Sequence, residues 1–206
     1  MKVIEPYFSV LTPLDGGLLI QVERAGRTCY KSEGTGFMED TEKFVRGLIK
    51  RGHEAVLEHA SVSLRIVCDR GVTHEIVRHR LASYAQESTR YCDYSKGKFG
   101  SEIVVIRPCY WDIESEEYKR WYEICLACET YYLKLRQMGA TPQEARAVLP
   151  NSLKTEIVVT MNLREWRHFL RLRCAPDAHP QMRQIAKLIL KLFRERVPVL
   201  VEDIPY

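Results

Sequence analysis

The 206-residue chain is 46% hydrophobic and 28% charged, with 31 lysines and arginines against 27 carboxylates for a net charge of +4. That composition supports one substantial core, and the net charge is too small by itself to announce a nucleic-acid binder. No Pro/Gly/Ser-rich stretch and no run of one charge marks a linker or tail, so a single domain over residues 1–206 is expected.

The opening MKVIEPYFSV has no basic region followed by a long apolar run, and no apolar stretch elsewhere reaches bilayer-spanning length. A soluble cytoplasmic protein with no membrane contact is the expectation. The seven cysteines are an odd count without a secretory signal, and they read as reduced thiols rather than a disulfide framework.

Asp40 and Thr41 have the chemistry of helix caps, and Phe44, Val45, Leu48 and Ile49 then recur at helical spacing until Gly52. Residues Ser61 to Cys68 alternate, with Val62, Leu64, Ile66 and Cys68 on one face, which predicts a half-buried strand. Gly71 to about Ala82 reads as helix, Glu102 to Ile106 as a short strand, and Glu116 to Met138 as a long helix ended by Gly139.

Thr141, Pro142 and Glu144 form a capping box with proline at the first helical position, opening a helix that stops at Pro150 and carries Arg146. Lys154 to Met161 alternates as a strand. Asn162, with Glu165 three positions later, caps a helix to about Cys174, and Gln181 to Val197 closes the chain as an amphipathic helix. Helices and strands mix without strict βαβ order, so the fold class is α+β.

The chemistry concentrates between Arg78 and Tyr91. If Arg78, His79 and Arg80 are helical, their side chains point about 100° apart and address different neighbours. Arg80 then falls on the apolar stripe of Ile76 and Tyr84, where an unpaired cation is costly, so an anionic ligand or a partner subunit is expected to satisfy it. An ordinary cluster of ion-paired arginines fits the same spacing equally well.

Arg173 lies three, four and seven positions after Leu170, Phe169 and Trp166, so it is expected to point inward. An arginine lying over Trp166 or closing an ion pair is the alternative. Ser88 has mostly arginines near it in sequence and no evident activating base, which favours a positioning role over a nucleophile.

Arg78-His79-Arg80, seven residues and then Ser88 resembles the signature of flavin-dependent thymidylate synthases. The similarity extends over Arg27 to Tyr30, Gly52-His53-Glu54 with Glu58-His59, Glu144 to Pro150, and Asn162 to Arg173. The resemblance implies an α/β fold peculiar to that family, assembled as a homotetramer with active sites shared between subunits. It also implies reductive methylation of dUMP to dTMP by FAD, NADPH and 5,10-methylenetetrahydrofolate.

Carried over residue by residue, the resemblance implies FAD contacts at Ala55, Arg78, His79, Arg80, Gln86, Asn162, Leu163, Arg164 and His168. It implies dUMP contacts at Glu75, Ile76, Val77, Arg78, Gln86, Glu87, Ser88, Thr89, Arg90, Arg146 and Arg173, with Arg173 polarising the uracil and His53 near flavin and folate. Cys29 and Ala55 stand where some members carry hydroxyl residues, and His168 where others carry asparagine. Glu75 and Glu87 beside a phosphate must each pair with a neighbouring arginine or point away.

Other signals are weaker. His53 and His59, and His74 and His79, are six and five apart, whereas chelation from one helix face needs four, so no metal site is expected. Cys125 and Cys128 form a lone CxxC that reads as core packing. Gly34-Thr35-Gly36 is too short for a dinucleotide fingerprint, and no phosphate loop occurs. The rival from another class is an arginine-rich RNA- or DNA-binding protein, whose affinity falls steeply with salt.

Overall fold

A computed structural model describes residues 1–206. In chain order it contains β1 (Lys2–Ile4), β2 (Tyr7–Val10), α1 (Gly16–Thr28), α2 (Met38–Lys50), a 3-10 turn at Glu54–His59, β3 (Ser61–Asp69), α3 (Arg70–Ile76) and β4 (Ala82–Gln86). There follow β5 (Val104–Ile106), α4 (Glu116–Gln137), α5 (Pro142–Ala145), β6 (Lys154–Asn162), α6 (Leu163–Arg173) and α7 (Pro180–Arg196). This is the mixed helix-and-sheet class expected. β1 pairs in parallel with β5, and a four-stranded sheet runs β2-β3-β6-β4.

The chain forms two compact units, neither of them continuous in sequence. One comprises Met1–Tyr7, Ile66–Arg78 and Ala85–Ile157, the other Phe8–Arg65, His79–Tyr84 and Val158–Tyr206. The first unit packs Ile103, Val105 and Leu153 against Tyr94, Cys125, Tyr132 and Ala145. Cys125 is therefore a core residue, and burial pushes its thiol up to about 12. All seven cysteines are free thiols.

In the second unit α6 buries an apolar stripe alongside two charged side chains, Glu165 and Arg167. Trp166, Phe169 and Leu170 are fully buried, and Trp166 meets Phe169 edge-on at 5.5 Å and Phe193 of α7 at 5.9 Å. The indole N–H donates to the Val62 carbonyl at 3.0 Å, so the buried polar atom of this large side chain is satisfied. Asn162 caps α6 by accepting the Glu165 N–H at 2.9 Å.

A buried cation ties the C-terminal turn to this helix. The Arg167 side chain is 1% exposed, and it bonds both oxygens of Asp203 at 2.8 Å and Glu54 at 3.1 Å. The start of α2 differs from expectation. Phe37 is the N-cap and makes no side-chain bond, whereas Thr41 is buried and its hydroxyl donates to Glu23 at 2.5 Å, a tertiary partner that outcompetes a local cap. Gly52, at φ +73°, ends the helix as expected.

Candidate active site

The helix expected over Gly71 to Ala82 stops at Ile76. Beyond it the Tyr84 hydroxyl donates to the His79 carbonyl at 2.5 Å, and the chain is already pairing as β4 from Ala82, so sheet formation overrides the helical pattern. Arg78 and Arg80 therefore do not fan from a helix. Both are exposed and make no ion pair within the chain, and Arg80 does not occupy an apolar stripe.

Within the first unit, Ile76 is fully buried, Val77 is 42% exposed and Glu75 is half-buried. The Ile76 side chain is closed off, so only its backbone can face a ligand, whereas Val77 and Glu75 keep accessible side chains. Gln86 commits its amide nitrogen to Thr73 at 3.0 Å and Thr155 at 3.3 Å. Glu87 accepts from the Tyr94 hydroxyl at 2.7 Å and the Lys154 ammonium at 2.9 Å. A lysine, not the expected arginine, thus neutralises Glu87.

Ser88 opens a turn in which its carbonyl accepts the Tyr91 and Cys92 N–H groups and its hydroxyl accepts the Arg90 N–H at 3.3 Å. No histidine or carboxylate bonds to that hydroxyl, in keeping with positioning rather than nucleophilic attack. Arg90 is exposed and lies 5.5 Å over the Tyr91 ring. Thr89 is buried, and its hydroxyl accepts Arg146 Nη1 at 3.3 Å.

Arg146 reaches this place because the capping box forms. Glu144 accepts both the Thr141 N–H and its hydroxyl at 2.7 Å, which fixes the short helix α5 and the 3-10 turn that follows it. An open pocket here is lined by Arg70, Thr89, Arg146 and Asn151 with apolar Ala147, Leu149, Pro150 and Leu153. It holds two guanidiniums and no carboxylate. Arg70 Nη1 is buried with no hydrogen-bond partner.

Sequence reasoning missed Arg70. The available signal was its place as the first residue of a helix straight after a strand, where the helix dipole opposes a cation unless an anion is close.

Within the second unit, His79 is 4% exposed and Glu165 is 7% exposed, with His79 Nδ1 2.9 Å from Glu165 Oε1. Arg173, half-buried as its spacing predicts, donates from Nε to His79 Nε2 at 3.1 Å. Burial pushes the imidazole below its ordinary value, with Arg173 and His168 adding to the effect and Glu165 opposing it, which favours the neutral ring.

His168 is exposed, and its ring lies 5.5 Å from that of His79. Leu163 is buried, and Arg164 is exposed and paired with Glu58 at 2.6 Å. His53 and Ala55 are exposed, and the His53 ring makes no bond within the chain. His79, Glu165 and His168 place their ligating atoms within 4.8 Å of one another, a constellation that histidine spacing missed because it joins a loop to a helix. The Arg173 guanidinium bonded to His79 repels a cation there.

An acid-free pocket with two arginines and a buried donor that lacks a partner suits a phosphate or carboxylate group, and in the second unit a buried histidine is bonded to a half-buried arginine. Residues 19–199 match the family described as thymidylate synthase complementing protein. The flavin-dependent thymidylate synthase of Geobacter sulfurreducens is 35% identical over 190 residues, 88% of this chain and 80% of that protein.

That of Mycolicibacterium vanbaalenii is 36% identical over 210 residues, 93% of this chain and 81% of its own. That of Pyrococcus furiosus is 35% identical over 158 residues, 76% of this chain, and the match spans 64% of that protein. The chain belongs to the flavin-dependent thymidylate synthase family. The donors present fit an anionic dinucleotide such as FAD, because Arg78 and Arg80 are exposed guanidiniums without an ion pair. No helix is long and apolar enough to cross a membrane.

Proposed function

We propose that this chain converts dUMP to dTMP in the cytoplasm, with 5,10-methylenetetrahydrofolate as carbon donor, NADPH as reductant and FAD as cofactor, residues 1–206 acting as one catalytic domain. The observation that carries this reading is the pocket of Arg70, Thr89 and Arg146, whose two cations and orphaned buried N–H suit the nucleotide phosphate. Ser88 and Arg90 stand in the neighbouring turn and orient the same ligand. Ser88 acts without transferring a proton.

Arg78, Arg80 and Arg164 would hold the phosphates of FAD, with Asn162, His168 and Ala55 lining the flavin and His53 on the folate side. When bound, FAD supplies the hydride that no amino-acid side chain can deliver. Arg173 would act on the pyrimidine. Its guanidinium stays protonated and stabilises the negative charge that develops on the ring when the N3 proton is withdrawn.

A homotetramer with shared active sites completes the proposal. Ile124 and Tyr131 of α4 and its C-cap Met138 recur every seventh position and are 62%, 58% and 82% exposed, an apolar stripe suited to burial against a further subunit. The test is mass-spectrometric detection of dTMP from dUMP, methylenetetrahydrofolate and NADPH, with FAD present or omitted. FAD-dependent dTMP is expected, and no dTMP from folded, flavin-replete protein overturns the reading.

A further inference from the structure

We propose that Glu165 is a positioning residue that sets the orientation of Arg173 through His79. The inference rests on the proposed role of Arg173 at the pyrimidine. Glu165 stands in the first turn of α6, its backbone N–H held by Asn162 and its carboxylate turned inward to His79.

The chemistry of the three groups fixes every proton. A guanidinium N–H only donates, so the bond from Arg173 Nε requires a lone pair on His79 Nε2. A neutral imidazole then carries its proton on Nδ1, where Glu165 Oε1 at 2.9 Å accepts it. Phe169 at 5.0 Å and His168 at 5.5 Å pack the ring and hold its plane. Glu165, Arg173 and His168 are the charged or titratable groups facing it.

Without Glu165 the neutral ring exchanges between two tautomers, and the form protonated on Nε2 cannot accept from Arg173. Arg173 then loses its bond to His79. A carboxylate that orients a histidine in this way acts on the reaction while touching no substrate.

The experiment compares Glu165→Ala and Glu165→Gln in the FAD-loaded protein. Glutamine still offers a carbonyl oxygen to Nδ1–H, and alanine offers nothing. Nitrogen NMR of the His79 ring is expected to show the Nδ1–H tautomer in wild type and Glu165→Gln, and a mixture in Glu165→Ala. At saturating dUMP, kcat is expected to fall about tenfold or more in Glu165→Ala and to stay within about threefold in Glu165→Gln, with KM for dUMP moving less than kcat.

An Nε2–H tautomer in wild type, a folded Glu165→Ala variant with unchanged tautomer and kcat, or equal damage from both substitutions overturns the proposal. The tautomer readout needs no turnover. If wild type forms no dTMP, the functional reading fails, and the ring signals still decide whether Glu165 holds His79 for Arg173.

Discussion

Removing Asp203 tests how the second unit tolerates a buried cation. Arg167 is 1% exposed, whereas Asp203 is 38% and Glu54 21% exposed, so the pair is only half desolvated. Breaking a fully buried pair from one side costs about 3–5 kcal/mol. Glu54 stays to neutralise Arg167, and solvent screens Asp203, which reduces the expected loss for Asp203→Ala to about 2 kcal/mol.

For a chain of this length that loss lowers Tm by about 4–8 °C in a thermal melt. Arg167→Met added to Asp203→Ala should recover most of the loss, because it removes the stranded charge while Arg171 at 3.6 Å still pairs with Glu54. Arg171→Ala alone, with both partners more than a third exposed in its bond to Asp203, should cost less than about 1 kcal/mol. A loss under about 0.5 kcal/mol in Asp203→Ala, or a double variant less stable than either single one, would refute the reasoning.

The Arg167 bond holds the Asp203 carboxyl down to about 2, below its ordinary value. Because the folded-state value is depressed, its stabilisation is fully present above about pH 4 and is lost as the pH falls through about 2. Denaturant melts across that window should show Asp203→Asn losing less stability on acidification than wild type, and parallel curves would contradict this. Ser88→Ala should weaken dUMP binding, read by equilibrium dialysis, and leave kcat at saturation within about tenfold, whereas abolished chemistry with intact binding would overturn the positioning role.

Long periodic elements were legible in the sequence. The alternation in β3 and β6, the span of α4, the capping box at Thr141 and the Asn162 cap all formed where the pattern put them. Three- and four-residue strands such as β1 and β2 carry too few alternations to register, and β4 was hidden because its residues continue the helical spacing of α3. The first helix, α1, went unread although Asp15 caps it by accepting the Gly17 N–H.

Roles at the site were legible chiefly through resemblance, since Ser88, Arg146 and Arg173 come from separate segments and spacing alone leaves each an ordinary surface residue. Arg70 lies outside the matched segments, and Glu165 lies within one of them without an implied role at the site. Only the fold shows that one has a buried donor without a partner and the other a histidine to hold.

The central claim is that the pocket of Arg70 and Arg146 holds the nucleotide phosphate. Titration calorimetry of the FAD-loaded protein with dUMP and with deoxyuridine, for wild type, Arg70→Met and Arg146→Met, tests it most directly. Each variant should lose about tenfold or more in affinity for dUMP, the scale of one charge-assisted bond, with deoxyuridine binding weakly and equally to all three. Unchanged dUMP affinity in both folded variants would contradict the assignment.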